Sequence, residues 1–509
     1  MGDVIGQVAG APRDGTDRVL WIELTAPEAA RIDSWLLIRE SSGREHLRRV
    51  VELRRNGLGL LARADRPHGV PSWAPPPPGS PAFVAPAAII RGALDVDVAA
   101  GPPSVPVGVI AGAGGAGDLG ALRLSLPHVT GPESAHVNVS GVSGLAAKSS
   151  FVCWMLGAIL QTARDGLAPG IVILNGKFAD LLALDEPAAA GPIAEDAALF
   201  RVAGVAPMPF PACRYLLPRG RSGAPSSAYV PPRHAVYGFD LDDGLGNLDV
   251  LLAGLDDRRR TIAALAADLT DAHRLRDEEM AAVSQWLDLC HELPLAHRGF
   301  PLPWRHHRRE TTQRFVRELS RALKSGTGVL VGADDEHASL PAELATLRGG
   351  EPLVIDIAPL TPEEQSLVVA SVVRELCSLR LDPTRPEFPR RVLVFVDELA
   401  KFAPRDGVPS PLCTHLIDLA ERGRSVGLSL IGAEQLVGAV HPRIIQNAAT
   451  RVFGRTPAAA LGDRAFRSLE PRLRAVLPHL RPGELVIEHA PLPAPLRIRF
   501  PRPVHRIPS

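Results

Sequence analysis

The spacing of apolar positions changes twice along the chain. Up to about residue 105, short runs such as VIGQVAG, RVLWIEL, SWLLIRE, RRVVELRR and LGLLARA recur with turn residues between them. Evenly spaced short strands predict a small barrel or sandwich. WAPPPPGSPAFVAP (Trp73 to Pro86) reads as a proline-rich break, AAIIRGALDVDV as a last strand of this module, and PPSVPVGVIAGAGGAGDLG as a second loop-rich joint. From about residue 120 strands and helices alternate. HVNVSG, a Gly-rich turn, a helix through SSFVCWMLGAILQTARDG and the strand GIVILN make a βαβ unit. Residues from about 205 to 335 begin loop-like with short strands. NLDVLLAGLDDRRRTIAALAADL and EEMAAVSQWLDLCHEL then take helical spacing, which predicts a largely helical insertion. The α/β pattern resumes with GTGVLVG, the strand in PLVIDIAPL, the helix EEQSLVVASVVRELCSL, the helix HLIDLAERGRSVG and the buried strand SLIGAEQ. RVFGR adds a strand, and GELVIEHAPLPAPLRIRFPRP a hairpin with a proline-rich end. No internal repeat is visible.

Within the second α/β stretch, RVLVFVDELAKF (Arg391 to Phe402) carries the most chemistry. Five apolar residues, Val392 to Val396, run straight into Asp397 and Glu398. A short, wholly apolar, β-branched run reads as a strand buried on both faces of a parallel sheet. Its two carboxylates then fall on the sheet's C-terminal edge, where open α/β sheets bind ligands. One can hold Mg²⁺ through water and the next can polarise an attacking water, the Walker B pattern of a nucleotide hydrolase. A strand that simply meets solvent at an acidic turn is the alternative.

The turn after HVNVSG supplies a matching half. A phosphate loop needs small residues whose N–H groups cradle phosphates, a Lys for phosphate oxygens and a Ser or Thr for Mg²⁺ at a helix N-terminus. Gly141, Gly144, Lys148 and Ser149 are those parts. The spacing departs from GxxxxGK[ST]: Val142 stands in place of the first Gly and Ala147 of the second. Gln435, at the end of the strand after the acidic one, is placed to contact a γ-phosphate or attacking water.

Composition narrows the classes. With 509 residues the chain has room for about two to four domains. The 56 basic and 56 acidic residues cancel, so any nucleic-acid contact needs a local patch or an assembled channel. RRNGLG and HHRRETTQR (His306 to Arg314) are local basic clusters of the kind that also make solvated faces. Five scattered cysteines without a CxxC pair argue against a disulfide framework or zinc site and fit a reducing cytosol. No basic-then-apolar leader opens the sequence and no unbroken run of about 18 apolar residues occurs, so a soluble cytoplasmic protein without a membrane span is expected.

These segments together resemble the HerA-like hexameric ATPases, relatives of the FtsK-type DNA pumps. The IGQV strands look like that family's small barrel, and PLVIDIAPLTPEEQSLVVASVVREL like its "IDLS" strand and helix. VFVDELAKF matches its Walker B, GRSVGLSLIGAEQ its Gln-bearing segment, and IIQNAATRVFGR the Asn- and Arg-bearing segment after it. The turn has the variant form GVSGxAxK[ST] in place of GxTGSGKS, and NGKFADLLAL, with Asn175, Lys177 and Asp180, replaces the usual Asp- and His-bearing strand end. The resemblance implies an α/β fold: a RecA-like P-loop ATPase core with an N-terminal small β-barrel (1–105) and a largely helical insertion (205–335). The core would span 106–204 and 336–475, and a C-terminal brace 476–509. It implies ATP and Mg²⁺ as cofactors. Gly141, Ser143, Gly144, Ala146, Ala147, Lys148, Ser149 and Ser150 would bind nucleotide, with Ser149 and Asp397 serving the metal. Glu398 would be the general base, Gln435 the sensor, and Arg451 or Arg455 a finger given to the neighbouring subunit. The partners implied are a hexameric ring of this chain, double-stranded DNA, and a NurA-like nuclease or other effector docked on the barrel face, in DNA end processing or anti-phage defence. A nucleotide-binding ring scaffold that gates its effector, with weak ATPase, is the alternative.

Overall fold

A computed structural model describes residues 3–10, 19–26, 28, 30, 34–56, 59–66, 74–97, 101, 103–111, 119–142, 148–163, 168–253, 260–275, 283–295 and 307–508. Near the N-terminus, β1 (Val4–Val8), β2 (Val19–Leu24), β3 (Trp35–Arg39), β4 (Glu45–Asn56), β5 (Gly59–Asp65) and β6 (Pro81–Val84) form a closed barrel in the order β1-β2-β5-β4-β3-β6. Strand alternation explains its double burial. Leu36 and Ile38 point into the barrel core with Leu20, Ile22 and Ala62, while Trp35 and Leu37 point outward into a second core shared with the main body. A register shift between Val50 and Glu52 lets the long β4 bend from β3 to β5.

The main body is a 13-stranded sheet in the order β13-β12-β11-β14-β10-β15-β16-β9-β17-β18-β19-β7-β8. Its strands are β7 (Ser104–Ile110), β8 (Ala121–Ser125), β9 (Val137–Ser140), β10 (Gly170–Asn175), β11 (Arg214–Pro218), β12 (His234–Gly238), β13 (Ala338–Ser339), β14 (Leu353–Asp356), β15 (Val392–Asp397), β16 (Leu428–Glu434), β17 (Thr450–Phe453), β18 (Glu484–His489) and β19 (Leu496–Arg499). From β13 to β17 neighbours run parallel; from β17 to β8 they run antiparallel. The unbroken apolar run of β15 follows from packing on both faces. Val392, Val394 and Val396 enter one core, and Leu393 and Phe395 the other. The first core is roofed by helices Pro362–Leu381 and Pro411–Val426, the second by Lys148–Thr162 and Ala194–Ala203.

The sequence writes these helix ends plainly. Thr361-Pro362 opens one helix with a full capping box to Glu364, and Ser410-Pro411 opens the next with Ser410 accepting from the Cys413 N–H. Gly427, in the left-handed region, closes the latter and turns the chain into β16.

The α/β class and the N-terminal barrel expected from the sequence are both present. Several local expectations fail, among them the proline-rich break Trp73 to Pro86, which holds β6 of the barrel. AAIIRGALDVDV is not a strand: Ala87–Ala93 is a helix that starts after Pro86. The expected loop-rich joint contains β7, paired on both sides. Within 205–335, the helices Thr261–Arg274, Trp286–Leu295 and Arg309–Ser325 are joined by β11 and β12, which lie inside the central sheet beside β14. GTGVLVG forms no full strand; Leu330 makes one parallel bridge to Phe239. Among the described residues no helix is long and apolar enough to cross a membrane.

Candidate active site

Strand order decides what meets at the C-terminal edge. β16 lies between β9, which feeds the Gly-rich turn, and β15, which ends in the acidic pair. In register, Ser140 of β9 stands beside Glu434 of β16, and Ala433 of β16 beside Asp397 of β15. The Gly141 N–H donates to the Glu434 carbonyl (3.1 Å), and the Val142 N–H to the Arg455 carbonyl (2.9 Å), so the turn leaves the sheet between β16 and β17. Gly141 lets the two backbones approach closely there, since a Cβ would sit 3.1 Å from Gly454 Cα.

The turn's Ser143, Gly144, Ala146 and Ala147 lie outside the described residues. Beyond it the helix Lys148–Thr162 begins, with Lys148 buried and Ser149 and Ser150 half-buried in its first turn. The Ser149 hydroxyl donates to Asp397 Oδ2 at 3.4 Å, across 248 positions of sequence. This hydroxyl and carboxylate are a hard-oxygen pair, the donor set that Mg²⁺ takes, so the residues present fit that ion. Burial, with the neighbouring Lys177 cation, lowers the Lys148 pKa, against the pull of Glu398, Asp397 and Glu434.

Glu398 has left-handed backbone angles (φ 61°, ψ 50°), which turn the chain off β15 at this edge. Its Oε2 lies 3.2 Å from Lys177 Nζ, and the same ammonium lies 3.1 Å from Asp397 Oδ1. Lys177 follows β10, the other neighbour of β15. Burial works against its charge, and the two carboxylates more than compensate, so its pKa is raised. Asp180 on the same turn is pushed up by burial and then by Asp397. One strand further out, Asn175 donates to Asp356 Oδ1 at 2.8 Å, which closes that side of the edge.

Glu434 was not singled out by sequence reasoning. Its side chain is fully buried, and neither carboxylate oxygen has a hydrogen-bond partner among the described residues. Burial drives its pKa well above the ordinary carboxylate range. Asn138 and Lys148 pull it down without completing a hydrogen bond, and Glu398 and Asp397 push it further up. The available signal was an acidic residue ending the largely apolar, wholly buried strand LSLIGAE. Gln435 follows it and is exposed.

The two arginines separate. Arg455 is exposed beside the turn and donates to the Pro478 carbonyl (3.1 Å). Arg451, opposite Asn138, pairs with Glu488 at 2.8 Å and lines a cavity of about 620 Å³ with His136 and His489, at the start of β9 and the end of β18. In the basic cluster that begins at Arg54, that side chain pairs with Glu52 and lies over the Trp21 ring. His306 of the second cluster lies outside the described residues.

No protein-family model matches the chain, and no curated protein matches it. Solved structures with a similar fold include VirB4 of Thermoanaerobacter pseudethanolicus, at 14% identity and TM-score 0.48, covering 79% of this chain and 97% of that one. The bacterial conjugative coupling protein TrwB is similar at 14% identity and TM-score 0.44, covering 74% of this chain and 88% of that one. The genome packaging NTPase B204 of Sulfolobus turreted icosahedral virus 2 is similar at 11% identity and TM-score 0.25, covering 32% of this chain and 74% of that one.

Proposed function

We propose that the chain is a magnesium-dependent ATPase that assembles into a hexameric ring and moves double-stranded DNA, in the manner of the HerA-like family. One observation carries the hydrolytic part. Lys148 and Ser149 at a helix N-terminus stand beside Asp397 and Glu398, and β16, which Gln435 follows directly, is held between β9 and β15. Lys148 would bind phosphate oxygens, and Ser149 with Asp397 Oδ2 would hold the cation. Bound Mg²⁺ supplies charge neutralisation on phosphate oxygens. Glu398 Oε1, the oxygen away from Lys177, would accept the proton of the attacking water. Gln435, exposed at the same edge, would contact that water or the γ-phosphate.

Ring assembly, DNA as polymer and a NurA-like nuclease or other effector on the barrel face rest on the sequence resemblance. Arg455 and Arg451 are the finger candidates, and the exposed Arg455 is the better placed to reach a neighbour. Displacement of a triplex-forming strand from duplex DNA tests the motor. The wild type should displace it only with ATP and Mg²⁺, and Glu398→Gln should not. ATP hydrolysis indifferent to DNA, with no displacement, would contradict a DNA motor. The substitution of Ala147 for the loop's second glycine favours a second reading, a nucleotide-gated scaffold. In that case Glu398→Gln would still assemble and support its effector.

A further inference from the structure

Lys177 touches both members of the acidic pair, and its geometry is specific. The Asp397 carboxylate is nearly inaccessible and has two distinct sides. Oδ2 faces the Ser149 hydroxyl, while Oδ1 receives the Glu398 backbone N–H (3.1 Å) and the Lys177 ammonium (3.1 Å). Lys177 therefore approaches from the side opposite the Ser149 donor and leaves the metal-facing oxygen clear. Its second contact, Glu398 Oε2 at 3.2 Å, ties down one oxygen of the general base. An exposed ion pair would contribute little. Here one partner is buried, and the adjacent carboxylates would otherwise repel each other at the end of β15.

We propose that Lys177 is a positioning residue of the hydrolytic centre: its ammonium clamps Asp397 Oδ1 and Glu398 Oε2, so that Asp397 Oδ2 is presented to the cation and Glu398 Oε1 to the attacking water. This rests on the reading of the site as an ATPase. A carboxylate base displaced by even about 1 Å loses on the order of a hundredfold in rate. The competing role is a lock, in which Lys177 takes the cation's place and restrains turnover.

The test compares wild type, Lys177→Met and Lys177→Arg in steady-state ATP hydrolysis, with Mn²⁺ binding in the presence of ADP followed by electron paramagnetic resonance. Lys177→Met is expected to lower kcat about ten- to hundredfold with KM little changed. Lys177→Arg is expected to recover much of that loss, and Mn²⁺ is expected to bind Lys177→Met no more tightly than wild type. Wild-type kcat in Lys177→Met, or faster turnover with tighter Mn²⁺ binding, overturns the proposal. Should Lys177→Met not fold, Lys177→Gln carries the same comparison. If the wild type itself hydrolyses no faster than Glu398→Gln, the ATPase reading fails, and with it the basis of this one. If the wild type is active and Lys177→Met is its equal, the Lys177 proposal alone falls.

Discussion

A fully buried carboxyl group with no hydrogen-bond partner among the described residues, as at Glu434, is held neutral by its surroundings. Its folded-state pKa lies well above the ordinary value of 4.5, with burial as the main cause. The folded protein thus keeps a proton that the unfolded chain releases above pH 4.5, and stability falls as pH rises from there toward the folded pKa. Glu434→Gln removes this penalty. It is expected to raise the thermal unfolding midpoint, and to raise it more at pH 8 than at pH 5. An equal shift at both values would show that Glu434 is ionised in the native site. The sequence marked Lys177 only as a departure at the strand end NGKF and did not single out Glu434, and the roles of both were hidden for one reason. Each derives its meaning from a neighbour brought near by sheet order, Asp397 in one case and Lys148 in the other. A lone Lys in NGKF or a Glu in GAEQ carries no periodic signal.

At the scale of elements, the same sheet order that assembles the site sets the cost of disturbing it. Phe395 fills the second core from the middle of β15, and truncation to Ala should cost about 3–5 kcal/mol. Thr361→Ala removes the cap of the Pro362–Leu381 helix and should cost about 1 kcal/mol. Denaturant midpoints should therefore fall clearly further for Phe395→Ala. The reverse order would mean that β15 is not the packed centre of the sheet. Both elements were legible in the sequence, β15 because a strand covered on two faces must be apolar throughout, the helix because EEQSLVVASVVRELCSL follows a strand in the α/β alternation. Elements with mixed signals were not. Pro106 and Gly108 in β7 read as loop residues, yet they sit at a register shift where β7 bends against β8, and a Cβ at Gly108 would lie 2.7 Å from the Arg499 carbonyl. AAIIRGA is too short to show a helical period. β11 and β12 are separated from their sheet neighbours by loops and helices, so their insertion beside β14 had no local mark.

For the whole molecule, zero net charge leaves stability to local environments rather than to overall repulsion. Three histidines are buried in the neutral form. Burial lowers His136 and His505 to about 4, and burial with the nearby His128 lowers His489 to about 3. Below pH 6.5 the unfolded chain gains protons that the folded protein refuses. Their contribution is complete above pH 6.5 and is lost as pH falls from there toward 4, by on the order of 3 kcal/mol for each group. Unfolding followed by circular dichroism should show stability dropping steeply across that window. His489→Gln should flatten the drop, and an unchanged slope would contradict a neutral buried His489. His136 and His489 line the cavity at the far end of β9 and β18, so their share of this acid sensitivity belongs to the edge opposite the proposed site.

That β9, β15 and β16 bring their ends together into one Mg²⁺-dependent ATP-hydrolysing centre is tested most directly by steady-state ATP hydrolysis with duplex DNA present, for wild type, Lys148→Ala and Glu398→Gln, with and without excess EDTA. The geometry predicts turnover by the wild type that chelation abolishes and that falls at least about a hundredfold in both variants. Equal hydrolysis by all three proteins, or turnover that survives chelation, would contradict it.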